Sequence, residues 1–165
     1  FQAQLRFIMT HLLVVLVLAL LGNAALVLVI RRGNRAARRH LSPVQLLLLH
    51  TCVADVLFAV LTLGSEVALL AAYPRFPGPD WACRAVHYGQ MLPLYASPFL
   101  LVAIAADRYQ AICRPLDNFR QTRYWRPNCF AAVAWSLAAL FSVPQILVWS
   151  LDNHGHCGTI YGARR

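Results

Sequence analysis

The chain has 165 residues, of which 59% are hydrophobic and only 13% charged. A soluble domain carries about a quarter charged residues, so that class is excluded and a membrane protein is indicated. The net charge of +9 would suit a nucleic-acid binder, but the arginines flank apolar segments and form no separate basic domain. Membrane orientation accounts for them better. The first residue is Phe1, not Met, so a fragment of a longer chain is expected.

Leu12–Ile30 is apolar throughout apart from Asn23, about the length that crosses a hydrocarbon core of roughly 30 Å. It has no small-residue cleavage site and is too long for a signal peptide. Three more apolar stretches follow. Lipid offers no partner to unpaired backbone groups, so each predicts a helix. The expected spans are about 7–31, 43–72, 81–112 and 128–150. Loops of about 32–42 and 113–127 fall on one side, and about 73–80 and 151–165 on the other. The predicted fold class is an all-α membrane protein, a transmembrane helix bundle.

All fifteen basic residues are arginine. Arg31, Arg32, Arg35, Arg38 and Arg39 follow the first span, and Arg108, Arg114, Arg120, Arg123 and Arg126 lie between the third and fourth. Positively charged loops stay in the cytoplasm, which predicts an extracellular N-terminus.

In the second span, Asp55 and Glu66 are the acids. Eleven residues are close to three turns, which predicts one shared face with the two about 16 Å apart. Intramembrane acids mark functional positions, although a satisfied core carboxylate is an equal account of Asp55. In the third span, Cys83, His87, Gln90, Leu94, Ser97, Leu101, Ile104 and Arg108 recur at 4-3-4-3 spacing, which predicts a single stripe. Ordinary packing with Ser97 as a small contact residue would also give a stripe, but packing has no need of His, Gln and Arg together. On this topology Cys83 and Cys157 face an oxidising compartment, where a disulfide persists. Cys52, Cys113 and Cys129 are expected to be reduced. Zinc on His154, His156 and Cys157 is the rival, weakened by the lack of paired ligand spacing.

The segment AADRYQAICRPL (Ala105–Leu116) places Asp107 and Arg108 side by side where the third span ends. With Gly22–Asn23, Val53–Asp55, Cys83, Trp135 and Cys157 in order, the chain resembles the first four helices of a rhodopsin-like (class A) G-protein-coupled receptor. The resemblance implies that Asp107 holds Arg108 until activation frees it to contact a heterotrimeric G protein, with Tyr109, Pro115 and Leu116 at the same surface. It implies that Asn23, Asp55 and Ser97 form a polar core able to hold a sodium ion as an allosteric modulator, with no other cofactor, and that Trp135 is structural. Gly78–Ser97 and Phe141–Gln145 look most like the vasopressin/oxytocin receptor group. That group implies an extracellular peptide ligand at Glu66, His87, Gln90 and Gln145. Neuropeptide S, crustacean cardioactive peptide and gonadotropin-releasing hormone receptors are the alternatives. His87, Glu66 and Thr62 depart from the group's usual residues, and Glu66 favours a basic group on the ligand. Part of a transporter or channel is the reading from another class, with Asp55 and Glu66 as ion sites. No nucleophile–base constellation suggests an enzyme.

Overall fold

The computed structural model describes residues 2–72, 75–113, 124–152 and 155–161. Helix α1 (Gln2–Ala36) is followed by α2 (Pro43–Leu57), which runs through a π-helical stretch (Phe58–Gly64) into α3 (Ser65–Ala72). Helix α4 spans Asp80–Cys113, and α5 (Trp125–Ser142) leads into the short α6 (Pro144–Val148). Strands β1 (Trp149–Leu151) and β2 (Cys157–Thr159) close the described chain as an antiparallel hairpin, with Leu151 opposite Cys157. Among the described residues, four helical segments are long and apolar enough to cross a membrane: Ala3–Ala36, Pro43–Ala72, Asp80–Cys113 and Trp125–Val148. Among the described residues, the hairpin is the one departure from an all-helical expectation.

Helix α1 is longer at both ends than its expected span of 7–31. Apolarity marks where a helix meets lipid. It does not mark where the helix stops, and arginine is itself a good helix former. The actual stop comes just beyond Ala36, where Arg38 takes a left-handed φ of 49° and Arg39 N–H donates to the Asn34 carbonyl at 2.9 Å. That backbone region costs a non-glycine residue roughly 1 kcal/mol. Helix α2 then opens with a capping box: Ser42 Oγ accepts from Gln45 N–H, and Gln45 Oε1 accepts from Ser42 N–H at 2.9 Å. Pro43 at the first turn needs no partner for a missing N–H.

The core joins α2, α4 and α5 through small residues. Ala54, Ala96, Ala103, Ala131, Ala134 and Ala138 are buried together with Leu47 and Leu100. Apolar burial gives little drive between helices in lipid, so close backbone approach and van der Waals contact hold the bundle. Many other large apolar side chains point the other way. Leu18, Val29, Val102, Val133 and Leu140 are all exposed.

The third span corrects the expected stripe. Its buried line runs through Cys83, Gln90, Pro93, Ala96, Leu100, Ala103 and Asp107. Leu94, Leu101 and Arg108, one position further on, are exposed. Polar spacing alone had placed them with Gln90, whereas the alanines decide which face can approach α2 and α5. The upper part of the expected stripe does face protein.

Candidate functional site

The outer ends of the second and third spans are joined by a chain of polar contacts around Gln90. Its Nε2 donates to Ser65 Oγ at 2.8 Å and to Glu66 Oε1 at 3.1 Å. With both amide protons committed, Gln90 Oε1 accepts from His87 Nδ1 at 2.9 Å, so the proton on that ring nitrogen is fixed. Thr62 Oγ1 donates to the Gln90 backbone carbonyl at 3.1 Å, tying down the turn just before Pro93. Ser65 Oγ donates to the carbonyls of Leu61 and Thr62, so the π-helical stretch and the site share a side chain. Such stretches often occur at functional positions.

A lid of hairpin residues covers this network. The Cys83–Cys157 disulfide joins β2 to the start of α4, with Cα atoms 5.8 Å apart. The Trp149 ring stacks on His87 with centroids 3.5 Å apart and planes 16° from parallel. Gln145 Oε1 accepts from Trp149 Nε1 at 2.9 Å. Asp80 links the same pieces, accepting from Arg84 Nε at 2.8 Å and from Leu151 N–H at 2.7 Å. Arg84 in turn donates to the Ile146 carbonyl at 3.1 Å. Beside them lies an open cavity of about 510 Å³, bordered by Glu66, Arg75, Phe76, His87, Trp149 and His156. Acid, base and aromatic walls meet there, so the cavity can orient a polar, partly aromatic ligand. Cys83, His87 and Cys157 bring three potential metal-ligand atoms within 4.8 Å. The two sulfurs are bonded to each other, which removes Cys157 from the zinc reading; His154 lies outside the described residues.

Midway through the membrane, Ser97 Oγ donates to Asp55 Oδ1 at 2.9 Å. Both acids of the second span therefore reach α4, Asp55 at Ser97 and Glu66 at Gln90. Two oxygen-bearing side chains side by side suit a hard cation. Asn23 Nδ2 donates to Ala19 O of its own helix at 2.9 Å, and the residue lines an apolar groove with Val53 and Val56. Trp135 Nε1 reaches His50 Nδ1 at 3.4 Å beside the alanine core.

At the other end of α4, Arg108 Nη2 meets Asp107 Oδ2 at 2.9 Å. Asp107 is buried and Arg108 half exposed, so the acid is held by the bundle while the base extends from it. Tyr109 is exposed beside them. Pro115 and Leu116 lie outside the described residues.

Residues 22–163 match the 7 transmembrane receptor (rhodopsin family). The chain belongs to this family. As a rhodopsin-family chain it is 52% identical to nematocin receptor 2 of Caenorhabditis elegans over 165 residues, covering 99% of this chain and 42% of that receptor. It is 44% identical to nematocin receptor 1 of the same organism over 159 residues, 96% of this chain and 42% of that receptor. With the human vasopressin V2 receptor the identity is 36% over 141 residues, 86% of this chain and 37% of that receptor. The chain thus spans about two fifths of the curated relatives it matches. The family shown is a receptor family.

Of the expected ligand residues in this family member, Glu66, Gln90 and His87 form one bonded chain. Gln145 reaches the cavity only through Trp149. Trp149, Ser65, Asp80 and Arg84 escaped sequence reasoning. Asp80 and Arg84 carried a signal, an acid and a base four residues apart. Trp149 carried none, since its partner His87 lies far away in sequence.

Proposed function

We propose that this chain is the amino-terminal part of a plasma-membrane receptor for a peptide of the vasopressin/oxytocin type, signalling through a heterotrimeric G protein. The observation that carries the reading is the outer cavity, lined by Glu66 and His87, which the buried Gln90 joins in one hydrogen-bonded chain under a disulfide-held hairpin. The N-terminus is extracellular in this reading, because the arginine-rich loops then lie in the cytoplasm. Peptide enters from the hairpin side. Glu66 supplies a negative charge for a basic group on the ligand, and His87 and Trp149 form an aromatic wall. Sodium held by Asp55 and Ser97 favours the resting arrangement. Peptide shifts the balance to the active one only by binding it more tightly.

At the inner end, release of Arg108 from Asp107 offers a planar guanidinium to the G protein, which protonation of Asp107 would favour. Pro115 and Leu116 complete that surface in this proposal. The deciding experiment is a calcium response of the full-length receptor in cells to vasopressin, oxytocin and nematocin. A response to any of these, lost on Gln90→Ala with surface expression kept, supports the reading. A response only to peptides of another group would remove it.

A further inference from the structure

The outer cavity carries few charges, and they are unspent. Among the described residues that border it, Glu66 is the one carboxylate and Arg75 the one guanidinium. Neither makes an ion pair among the described residues, so each charge is open to whatever enters. His87 borders the same space, and histidine is the side chain that ordinarily changes charge between about pH 5 and 8. The charge of the cavity can therefore change without any change of shape.

His87 is held so that a second proton disturbs nothing. Its Nδ1–H donates to Gln90 Oε1 at 2.9 Å, and that amide cannot flip, because its Nε2 donates to Ser65 and Glu66. His87 Nε2 has no partner among the described residues, so the added proton goes there and breaks no bond. Trp149 lies flat on the imidazole, with centroids 3.5 Å apart, and an aromatic face also attracts a cation. One amide then separates the new charge from the Glu66 carboxylate. The other ionisable groups around His87 are occupied. From the hairpin, His156 meets Asp152 at 3.5 Å. On its own helix, Arg84 is held by Asp80 and the Ile146 carbonyl, and Tyr88 Oη donates to the Ala139 carbonyl at 3.5 Å. Cys83 and Cys157 are joined in the disulfide. Only Glu66, from α3, and Arg75, from the segment before α4, remain to act on the imidazole.

We propose that His87 is a proton-binding site that sets the charge of ligand the cavity accepts. Neutral, it leaves Glu66 to a basic group on the ligand. Protonated, it gives Glu66 a counter-charge from within the protein and repels that basic group. Proton and basic ligand then compete, and each weakens the other by the same factor. The inference rests on the peptide-receptor reading above and adds control of that site by extracellular pH.

The test uses the full-length receptor in nanodiscs and two deaminated vasopressins, one with arginine and one with citrulline in its place. The peptides differ by one charge, and neither carries a group that titrates between about pH 5 and about pH 7.5. The arginine peptide should bind about ten-fold more weakly at the lower pH, a usual coupling between two linked sites. The citrulline peptide should change much less. His87→Gln should abolish that difference between the peptides, and His156→Gln should preserve it. A difference that survives His87→Gln would move the proton to Glu66 or His156 and overturn the proposal. Equal pH profiles for the two peptides would overturn it too, with the peptide reading left standing. Failure of both peptides to bind at either pH would remove the peptide reading and this inference with it. The proton is also read without ligand, from the carbon-13 shifts of labelled histidine in the unaltered receptor. The His87 resonance, identified by its loss in His87→Gln or, where that variant does not fold, in His87→Asn, should titrate over the same interval. A His87 resonance that stays constant would overturn the proposal whatever the peptides do.

Discussion

The outer and inner ends of the bundle are built on opposite plans. At the outer end, segments distant in sequence are tied together: Cys83 to Cys157, Asp80 to Leu151, His87 to Trp149, Gln90 to Glu66. At the inner end, the ion pair joins sequence neighbours, Asp107 and Arg108. A long-range tie such as Tyr124 Oη to the Leu41 carbonyl, at 3.1 Å, is exposed. An outer site held from several elements is pre-organised for a ligand. An inner arginine held by one neighbour can change partners without unpacking the core. On the function proposed above, the outer end binds and the inner end couples, and rigidity at the first with freedom at the second suits that division.

The largest test of this contrast is at the inner end. Arg108→Ala in the full-length receptor should lower G-protein activation by at least about 10–100-fold, the worth of a charged hydrogen bond made only in the active arrangement. Peptide binding at the surface should persist. Unchanged coupling would remove the division of labour altogether.

Next is Cys83→Ser, which frees the hairpin from α4. A closed loop of this size is worth about 2–4 kcal/mol, read as a lower melting temperature of the purified receptor and weaker peptide binding. If both are untouched, the outer end is not held as described. Gln90→Ala should follow, since it leaves Glu66 and His87 without their shared partner at a cost of about 1–3 kcal/mol. Radioligand competition should register that as a loss of peptide affinity, and Glu66→Gln should lose affinity selectively for peptides with a basic group. A uniform loss across neutral and basic peptides would make Glu66 structural. The smallest effect belongs to neither end. Trp135→Phe removes the bond to His50 and should cost about 1 kcal/mol of stability with ligand selectivity preserved. A change in selectivity would place the core in the ligand pathway.

Much of the architecture was legible in the residues. Long apolar runs must become helices in lipid because their backbone groups have no other partners, and the arginines flanking those runs set the expected orientation. The pairing of Asp107 with Arg108 was legible too, since the two are adjacent. Cys83 with Cys157 was expected from topology, and the structure brings them together. What the chain could not declare were contacts set by relative rotation and depth of helices. Periodicity gave Gln90 and Arg108 one face, but the small alanines of α4 and α5 turned Leu94, Leu101 and Arg108 outward. The family resemblance grouped Asn23 with Asp55, and the described bond of its side chain is to Ala19 within α1. The stacking of Trp149 on His87 and the service of Gln145 to Trp149 required the hairpin to fold back across the bundle. Sequence alone determined which segments are helices and which side chains are chemically available, because lipid and local backbone bonding act residue by residue. Only the tertiary structure decided which of those side chains meet, because that depends on how closely whole helices can approach.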